Sequence, residues 1–492
     1  MNLPLPQQTY QSRSKPFSSE RLLNLLLEKA GDAYMLVGTP GLKKHYDFGA
    51  GVEVLGMCYI RDYLVLATSN HVYVLYKEER PQEPEGYVIR EIVKKSWNDI
   101  GLYSPGKALV QMVSNGDTVL LLNSDEKVRK MAKVDLIGPE TPLLPDSWEI
   151  YKLDTQEDLK YTAIGYVSGV FLAACEKNKT SYVQYTDVLD VNFDYSFQLD
   201  TALSNLTALK GNMREVWAFG ANSIEVIAPT GEPGNDFFAH VPGAYINKGC
   251  VCKNSIAVYE KSFIFYGNDN VVYMSEGYAL KPISTPALLD MIKSWGSLDT
   301  DADRDKVIGQ IFSIAGHTFY MLKFKKFGKT LWYDLTTGSW IERESRDGEE
   351  WEGDFIERRP NGELIISSTT TSKMYRMDSS YYTDDGDFIC REFVFQTLST
   401  EGKKRMFFYS LTLEIDSGLG PDDSVMLDWS DDGGYTWGRE RTVKLGDYGH
   451  YNKKIQFRRL GSSTSRTFRV RLSTKSMVNI LKASLDVEEG EA

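Results

Sequence analysis

Chemistry in this chain would have to come from its histidines, its cysteines or one run of carboxylates. The five histidines (His45, His71, His240, His317, His450) form no H-x-x-x-H or H-x-H pair, the spacings that set two imidazoles on one face of a helix or strand. The five cysteines (Cys58, Cys175, Cys250, Cys252, Cys390) include no C-x-x-C. Cys250-Val-Cys252 on a strand would put two thiols on one face, but no second pair completes a metal site. Few, odd in number and scattered, the cysteines fit burial in a chain folded under reducing conditions. Glu342, Glu344, Asp347, Glu349, Glu350, Glu352 and Asp354 could in principle supply an acid–base pair. Such a density of charge reads instead as a hydrophilic loop ahead of a strand. No G-x-S-x-G, P-loop or G-x-G-x-x-G in strand–helix context occurs. The expectation is a protein that is not an enzyme, with no catalytic residue, no metal and no cofactor.

One turn motif is sharper. Ser430-Asp431-Asp432-Gly433-Gly434-Tyr435-Thr436-Trp437 matches S-x-D-x-G-x-T-W and resembles the Asp-box of sialidases and related propellers. Its physics is a hairpin lock: Ser430 and Asp432 oxygens satisfy turn amides, Gly434 permits the reversal, and Trp437 packs beneath. In those families the box is structural and lies away from the reaction centre. A sialidase also carries several copies, an arginine cluster and a tyrosine nucleophile, whereas this chain has one copy near its end. Trp332-Tyr333-Asp334-Leu335-Thr336-Thr337-Gly338-Ser339-Trp340 similarly looks like the turn of a kelch blade. Both are read as structural.

The elements that carry these turns are strands. An apolar strand, a turn with Gly or Asn, a second apolar strand and an amphipathic third recur at 52–76, 108–131, 161–185, 206–228, 255–277, 308–340 and 355–377. Such spacing is close to the ~40–50 residues of a propeller blade. Asn115-Gly116 and Asn361-Gly362 mark hairpin reversals. Units that cannot bury their faces singly must stack, and radial closure also removes exposed edges. The alternative architecture is two β-sandwiches in tandem. Ser18 or Ser19 is read as the cap of a short helix through SERLLNLLLEKAG, stopped by Gly31. Thr285 with Pro286 predicts a second helix with Leu288, Leu289, Met291 and Ile292 on its apolar side. The turn-rich stretch 227–249 reads as a projecting loop.

A break at 379–388 precedes clean alternation. Leu411, Leu413 and Ile415, then Ile455 and Phe457, then Phe468, Val470 and Leu472 take one face, and Lys454, Arg458, Arg469 and Arg471 take the other. The fold class expected is therefore all-β, a β-propeller of six or seven blades with a C-terminal antiparallel β-sandwich. Domain boundaries fall at 1–48 (N-terminal arm with a short helix), 49–380 (propeller) and 385–492 (sandwich).

The aromatic fraction of 12% in a chain with 42% hydrophobic residues suits stacked strands. No basic stretch followed by an apolar run opens the sequence, and no apolar run is long enough to span a bilayer, so no membrane insertion is expected. The formal charge of −12 is uneven: Arg439–Lys475 holds eleven Lys/Arg against two Asp/Glu, leaving the remainder strongly acidic. The four alternating cations Lys454, Arg458, Arg469 and Arg471 are thus a candidate basic face for docking a partner.

Several segments, in order, resemble the packaged-DNA stabilisation proteins of short-tailed phages, also called tail accessory factors, tail hubs or nozzles. They are S-x-x-R-L-L-N ending at Asn24, T-P-G-L at 39–42, Trp217-Ala-Phe-Gly-Ala-Asn-Ser-Ile-Glu225 and Gly243-Ala-Tyr-Ile-Asn-Lys-Gly249. S-T-P-A-L-L-D-M-I at 284–292, D-G-G-x-x-W-G-R-E at 432–440, Arg459-Leu-Gly461 and F-R-V-R at 468–471 follow. The resemblance implies a virion tail component, made in the host cytoplasm and assembled as a hexameric ring beneath the portal and head–tail adaptor. It implies a needle or plug and fibre or spike proteins as further partners, and a role in retaining packaged DNA and permitting ejection. Double-stranded DNA is met by non-specific proximity in the channel; acidic walls let a polyanion slide, whereas a basic lumen would hold it. On this reading acidic propeller loops face the channel and the basic sandwich face meets a neighbouring tail subunit. The competing reading is a glycan-binding or glycan-cleaving propeller used in host attachment.

Overall fold

Short apolar strands expose two faces each, and in this chain they cover them by stacking as blades. The computed structural model describes all residues except 32, 84, 124–130, 137–147, 154–158, 178–179, 189, 200–205, 346–347, 401–403, 418–422, 446–452 and 491–492. Six four-stranded antiparallel sheets follow one another at 54–96, 110–152, 160–198, 206–246, 257–282 and 307–343. A seventh is composite: Phe355–Arg358, Leu364–Ser367 and Lys373–Asp378 are completed by Gly41–Asp47, which pairs antiparallel with Lys373–Asp378 from far upstream. The first strand of blade seven lies against the first strand of blade one, so the circle closes. The count of blades is seven, and each recurring sequence unit is one blade.

Close approach of the inner strands depends on missing side chains. A Cβ on Gly309 would lie 2.0 Å from the Ser255 carbonyl oxygen in the neighbouring blade, and one on Gly211 would lie 2.5 Å from Tyr166 O. At the reversals, Gly116 and Gly362 adopt φ of 101° and 91°, and Asn115 Oδ1 accepts from the amides of Asp117 and Thr118. These are turns that only glycine enters without strain.

The sandwich has two sheets. One orders Leu25–Ala30, Ala33–Gly38, Val478–Glu489, Met406–Ser417 and Lys453–Ser463, with Asn2–Leu3 beside Val478–Glu489. The other runs Ser19–Leu23, Asp387–Val394, Ser465–Thr474, Ser424–Ser430 and Arg441–Lys444. Leu411, Leu413, Ile415, Ile455, Phe457, Phe468, Val470 and Leu472 are all buried between them, as the alternation requires. One hydrophobic core continues from the sandwich into blades six and seven.

Three expectations are corrected. The stretch 18–31 is not helical: it forms strands Ser19–Leu23 and Leu25–Ala30, broken by Asn24 at φ 55°. Its leucines at 22, 23, 25, 26 and 27 are all buried, and an unbroken apolar run has no period that separates a buried strand from a helix. The first 47 residues are accordingly no separate arm, since they supply strands to both the sandwich and the propeller. The stretch 227–249 does not simply project, because Phe238–Ile246 is the outer strand of blade four. The second helix, Pro286–Trp295, stands where its signals put it, with Thr285 Oγ1 accepting from the Leu288 amide.

Candidate functional site

The Asp-box turn joins Ser424–Ser430 to Arg441–Lys444. Ser430 Oγ donates to Asp432 Oδ1 at 2.6 Å and accepts from the Gly434 amide at 2.7 Å. The Asp432 carboxylate accepts from the amides of Tyr435 and Thr436 and from the Thr436 hydroxyl. Bonds from Ser430 and Thr436 hold the Asp432 carboxyl far below its ordinary range. Gly434 sits at φ 96°, and Trp437 packs under the Arg469 guanidinium at 4.2 Å from its ring centroid. The turn also touches the N-terminal segment, with Pro16 against Gly433 and Lys15 Nζ on the Gly434 carbonyl. The oxygens of Ser430, Asp432 and Thr436 are thus engaged in the turn itself, and Asp431 is held by Arg466.

The four cations expected on one basic face are not brought together. Lys454 and Arg458 lie on Lys453–Ser463 of one sheet, Arg469 and Arg471 on Ser465–Thr474 of the other. Their inward neighbours meet in the core, so the two pairs point out of opposite sides of the sandwich. Arg469 is paired with Asp428 and stands 4.0 Å from Glu392, and Arg471 pairs with Glu440. Lys454 meets Glu414 at 3.1 Å, and Arg458 Nε donates to Gln456. Period-two spacing assigns a residue to a face of its strand; it does not say which sheet the strand joins.

Four members of the carboxylate run, Glu342, Glu344, Glu350 and Asp354, likewise become structural ion pairs. Glu342, in a blade strand and not a loop, receives both Nε and Nη2 of Arg21 at 3.0 and 2.7 Å. Glu350 and Asp354 meet the fully buried Lys323 at 2.8 and 2.6 Å, and Asp354 also holds Lys325 at 2.9 Å. Burial alone would raise the Asp354 carboxyl, but the two lysines outweigh it and hold it low. Asp347 lies outside the described residues. Cys250-Val-Cys252 falls in a connection, not a strand, with both thiols buried; burial pushes Cys250 up to about 12 and Cys252 well above its ordinary value. Among the described residues no group of His, Cys, Asp and Glu could hold a metal.

What sequence reasoning missed is the polar joint between the modules. Arg21 reaches Glu342 of blade six and, through Nη1 at 2.9 Å, Glu392 of the sandwich. Its strand pairs with both elements. Burial lowers the Arg21 guanidinium, but Glu342, Glu392 and Glu344 outweigh that and hold its pKa well above the ordinary value. Arg343, fully buried, donates to Asn24 Oδ1 and to both oxygens of Asp384 at 3.0 Å each. Arg391, also fully buried, donates to Thr474 Oγ1 at 2.9 Å, and burial with the nearby Arg343 lowers its pKa to about 10. The local signal was an arginine inside an apolar strand, in W-I-E-R and C-R-E-F-V-F.

Two family models match in order along the chain: "Bacteriophage P22 Gp10, beta-propeller" over residues 166–382 and "Bacteriophage P22 Gp10, beta-sandwich" over 391–488. None of the curated proteins compared with the chain matches it. Among solved structures, the WD40 β-propeller domain of Doa1 is similar at TM-score 0.40 and 11% identity, over 69% of this chain and 97% of that one. The extracellular domain of a B. thetaiotaomicron one-component system is similar at TM-score 0.40 and 10% identity, over 75% of this chain and 43% of that one. At that level neither likeness bears on what this chain does. The matched modules, together with the all-β propeller and sandwich, define a structural protein of the phage virion. The chain belongs to the family of phage P22 Gp10, the packaged-DNA stabilisation proteins or tail hubs of short-tailed phages, and its place is the virion tail.

Proposed function

We propose that copies of this chain form a hexameric ring below the portal and head–tail adaptor, which prolongs the DNA channel, retains the packaged genome and permits its ejection. The observation that carries the reading is the pair of Gp10 matches, propeller then sandwich, on one chain. The joint through Arg21, Arg343 and Asp384 supports it, because a load-transmitting tube needs modules that do not swing. The acidic balance of the chain outside Arg439–Lys475 supports a channel wall along which a polyanion slides, since a basic wall would hold DNA by counterion release. On this reading the needle or plug and the fibre or spike proteins attach to the same ring, and DNA is met only by non-specific proximity. The ring performs no reaction; the motifs that could have meant catalysis sit in turn locks and ion pairs.

Electron microscopy of the purified protein and of assembled tails tests this. The expected result is ring particles with six-fold symmetry and a lumen that is not basic. A soluble monomer that binds or hydrolyses surface glycan would overturn the reading in favour of a glycan-directed propeller.

A further inference from the structure

The far edge of the sandwich gathers cations that, among the described residues, mostly lack a carboxylate partner. In both sheets the strands nearest the propeller are N-terminal ones, and the strands furthest from it are Lys453–Ser463 and Arg441–Lys444. These two lie side by side: Arg441 donates to the carbonyls of Arg458 and Arg459, and Lys453 Nζ to that of Leu445. Arg405, Arg441, Lys444, Lys454, Arg458 and Arg459 gather along this edge, and only Lys454 has a carboxylate partner among the described residues. Phe407 and Tyr409, both exposed, flank it on the neighbouring strand. A strip of cations beside exposed aromatics is the composition of an interface, with charge to steer and apolar area to hold.

The matching surface is at the opposite end of the molecule. The sandwich is joined to blades six and seven, and across a circle of seven blades from that seam stands blade three. There the strands Thr180–Tyr185 and Tyr195–Gln198 meet the connection 230–237 of blade four, through the Tyr185 hydroxyl on the Gly234 carbonyl and the Ser196 amide on Asn235 Oδ1. Asp187, Asp190, Asp194, Glu232 and Asp236 crowd this rim, with the exposed Val188 among them. None of the five forms an ion pair among the described residues, unlike Glu342, Glu363, Asp354 and Asp428, which are each paired within the subunit.

We infer that the basic far edge of the sandwich docks on the acidic rim of blades three and four of a second copy of this chain. The inference rests on the ring proposed above and names its contact. Opposite charge on two separate patches of one subunit is the arrangement of a heterologous, head-to-tail interface, which closes into a ring when the rotation per subunit allows. A two-fold contact would instead need one patch complementary to itself, and each of these patches repels its own copy.

Charge reversal in the full-length protein tests it. Lys444→Glu with Arg458→Glu and Arg459→Glu reverses one patch; Asp187→Lys with Asp194→Lys and Asp236→Lys reverses the other. Each triple variant should raise the protein concentration at which rings dissociate by about tenfold or more, read by mass photometry, with an unchanged thermal melt. The two variants mixed should form rings of alternating partners, because each reversed patch then meets its complement, and the chain carrying all six changes should recover rings on its own. Rings that survive both reversals overturn this contact while leaving the ring itself in place. Wild-type protein that forms no ring at all overturns the ring. Binding of a DNA duplex by the wild-type subunit, abolished by the basic-edge variant with rings intact, overturns the contact in favour of DNA.

Discussion

Single side chains in this protein work mostly by neutralising one another, and Glu363 shows how much one carboxylate can do. It sits where blade seven meets blade one and pairs with Lys77 at 3.0 Å, Arg359 at 3.1 Å and Arg376 at 3.3 Å. Burial alone would raise its pKa, but hydrogen bonds from Lys77, Asn361 and Arg359 outweigh that and hold it at about 2. A carboxyl depressed on folding stabilises the native state above its unfolded value of 4.5, and that stabilisation is lost as pH falls towards 2. Glu363→Gln should therefore lower stability at neutral pH and flatten the decline between pH 4.5 and 2, as followed by denaturant melts across that range. An unchanged acid limb would show that the three cations do not depend on Glu363. The cluster could not be read from the sequence, because its members come from two strands and a turn, of which Lys77 is nearly three hundred residues from Glu363. The Asp-box could, since the bonds that Ser430 and Asp432 make in the turn lie within eight residues and a local bond needs only a local pattern.

At the scale of elements, the blades were legible because each repeats one pattern, and their inner strands impose a demand that the pattern alone does not express. Gly309 must leave room for the Ser255 carbonyl, to which Tyr320 also donates at 2.8 Å. Gly309→Ala should push blades five and six apart and cost about 1–3 kcal/mol, the range for overpacking, seen as a lower midpoint in chemical denaturation with an unchanged m-value. Where the sequence misled, periodicity had lost its information. The leucines of 22–27 are buried on both sides, so no stripe distinguishes strand from helix. The cations of the sandwich alternate correctly along two strands that belong to different sheets, so a correct local reading gave a wrong surface.

For the whole molecule, propeller and sandwich share a core and are stitched by the same N-terminal strands. Ser19–Leu23 pairs with both modules, the hairpin of 25–38 widens the sandwich, and Gly41–Asp47 completes blade seven. Calorimetry of the intact chain should show one cooperative transition; two separated transitions would mean that the joint is decorative. The order of modules was visible in the sequence and their union was not, because Arg21 and its partners Glu342 and Glu392 are far apart along the chain.

The composite seventh blade also sets a timetable. Gly41–Asp47 leaves the ribosome early, while its partner Lys373–Asp378 is made only after six other blades. During that interval the nascent chain carries an unpaired strand and an open end, both of which invite mispairing. Non-local pairing of this kind is also slow, since the loop must close before any contact rewards it. A product cut short before Lys373 can never seal its circle. Closure of the circle therefore waits on strand Lys373–Asp378, and a chain that stops short of it keeps an open blade edge.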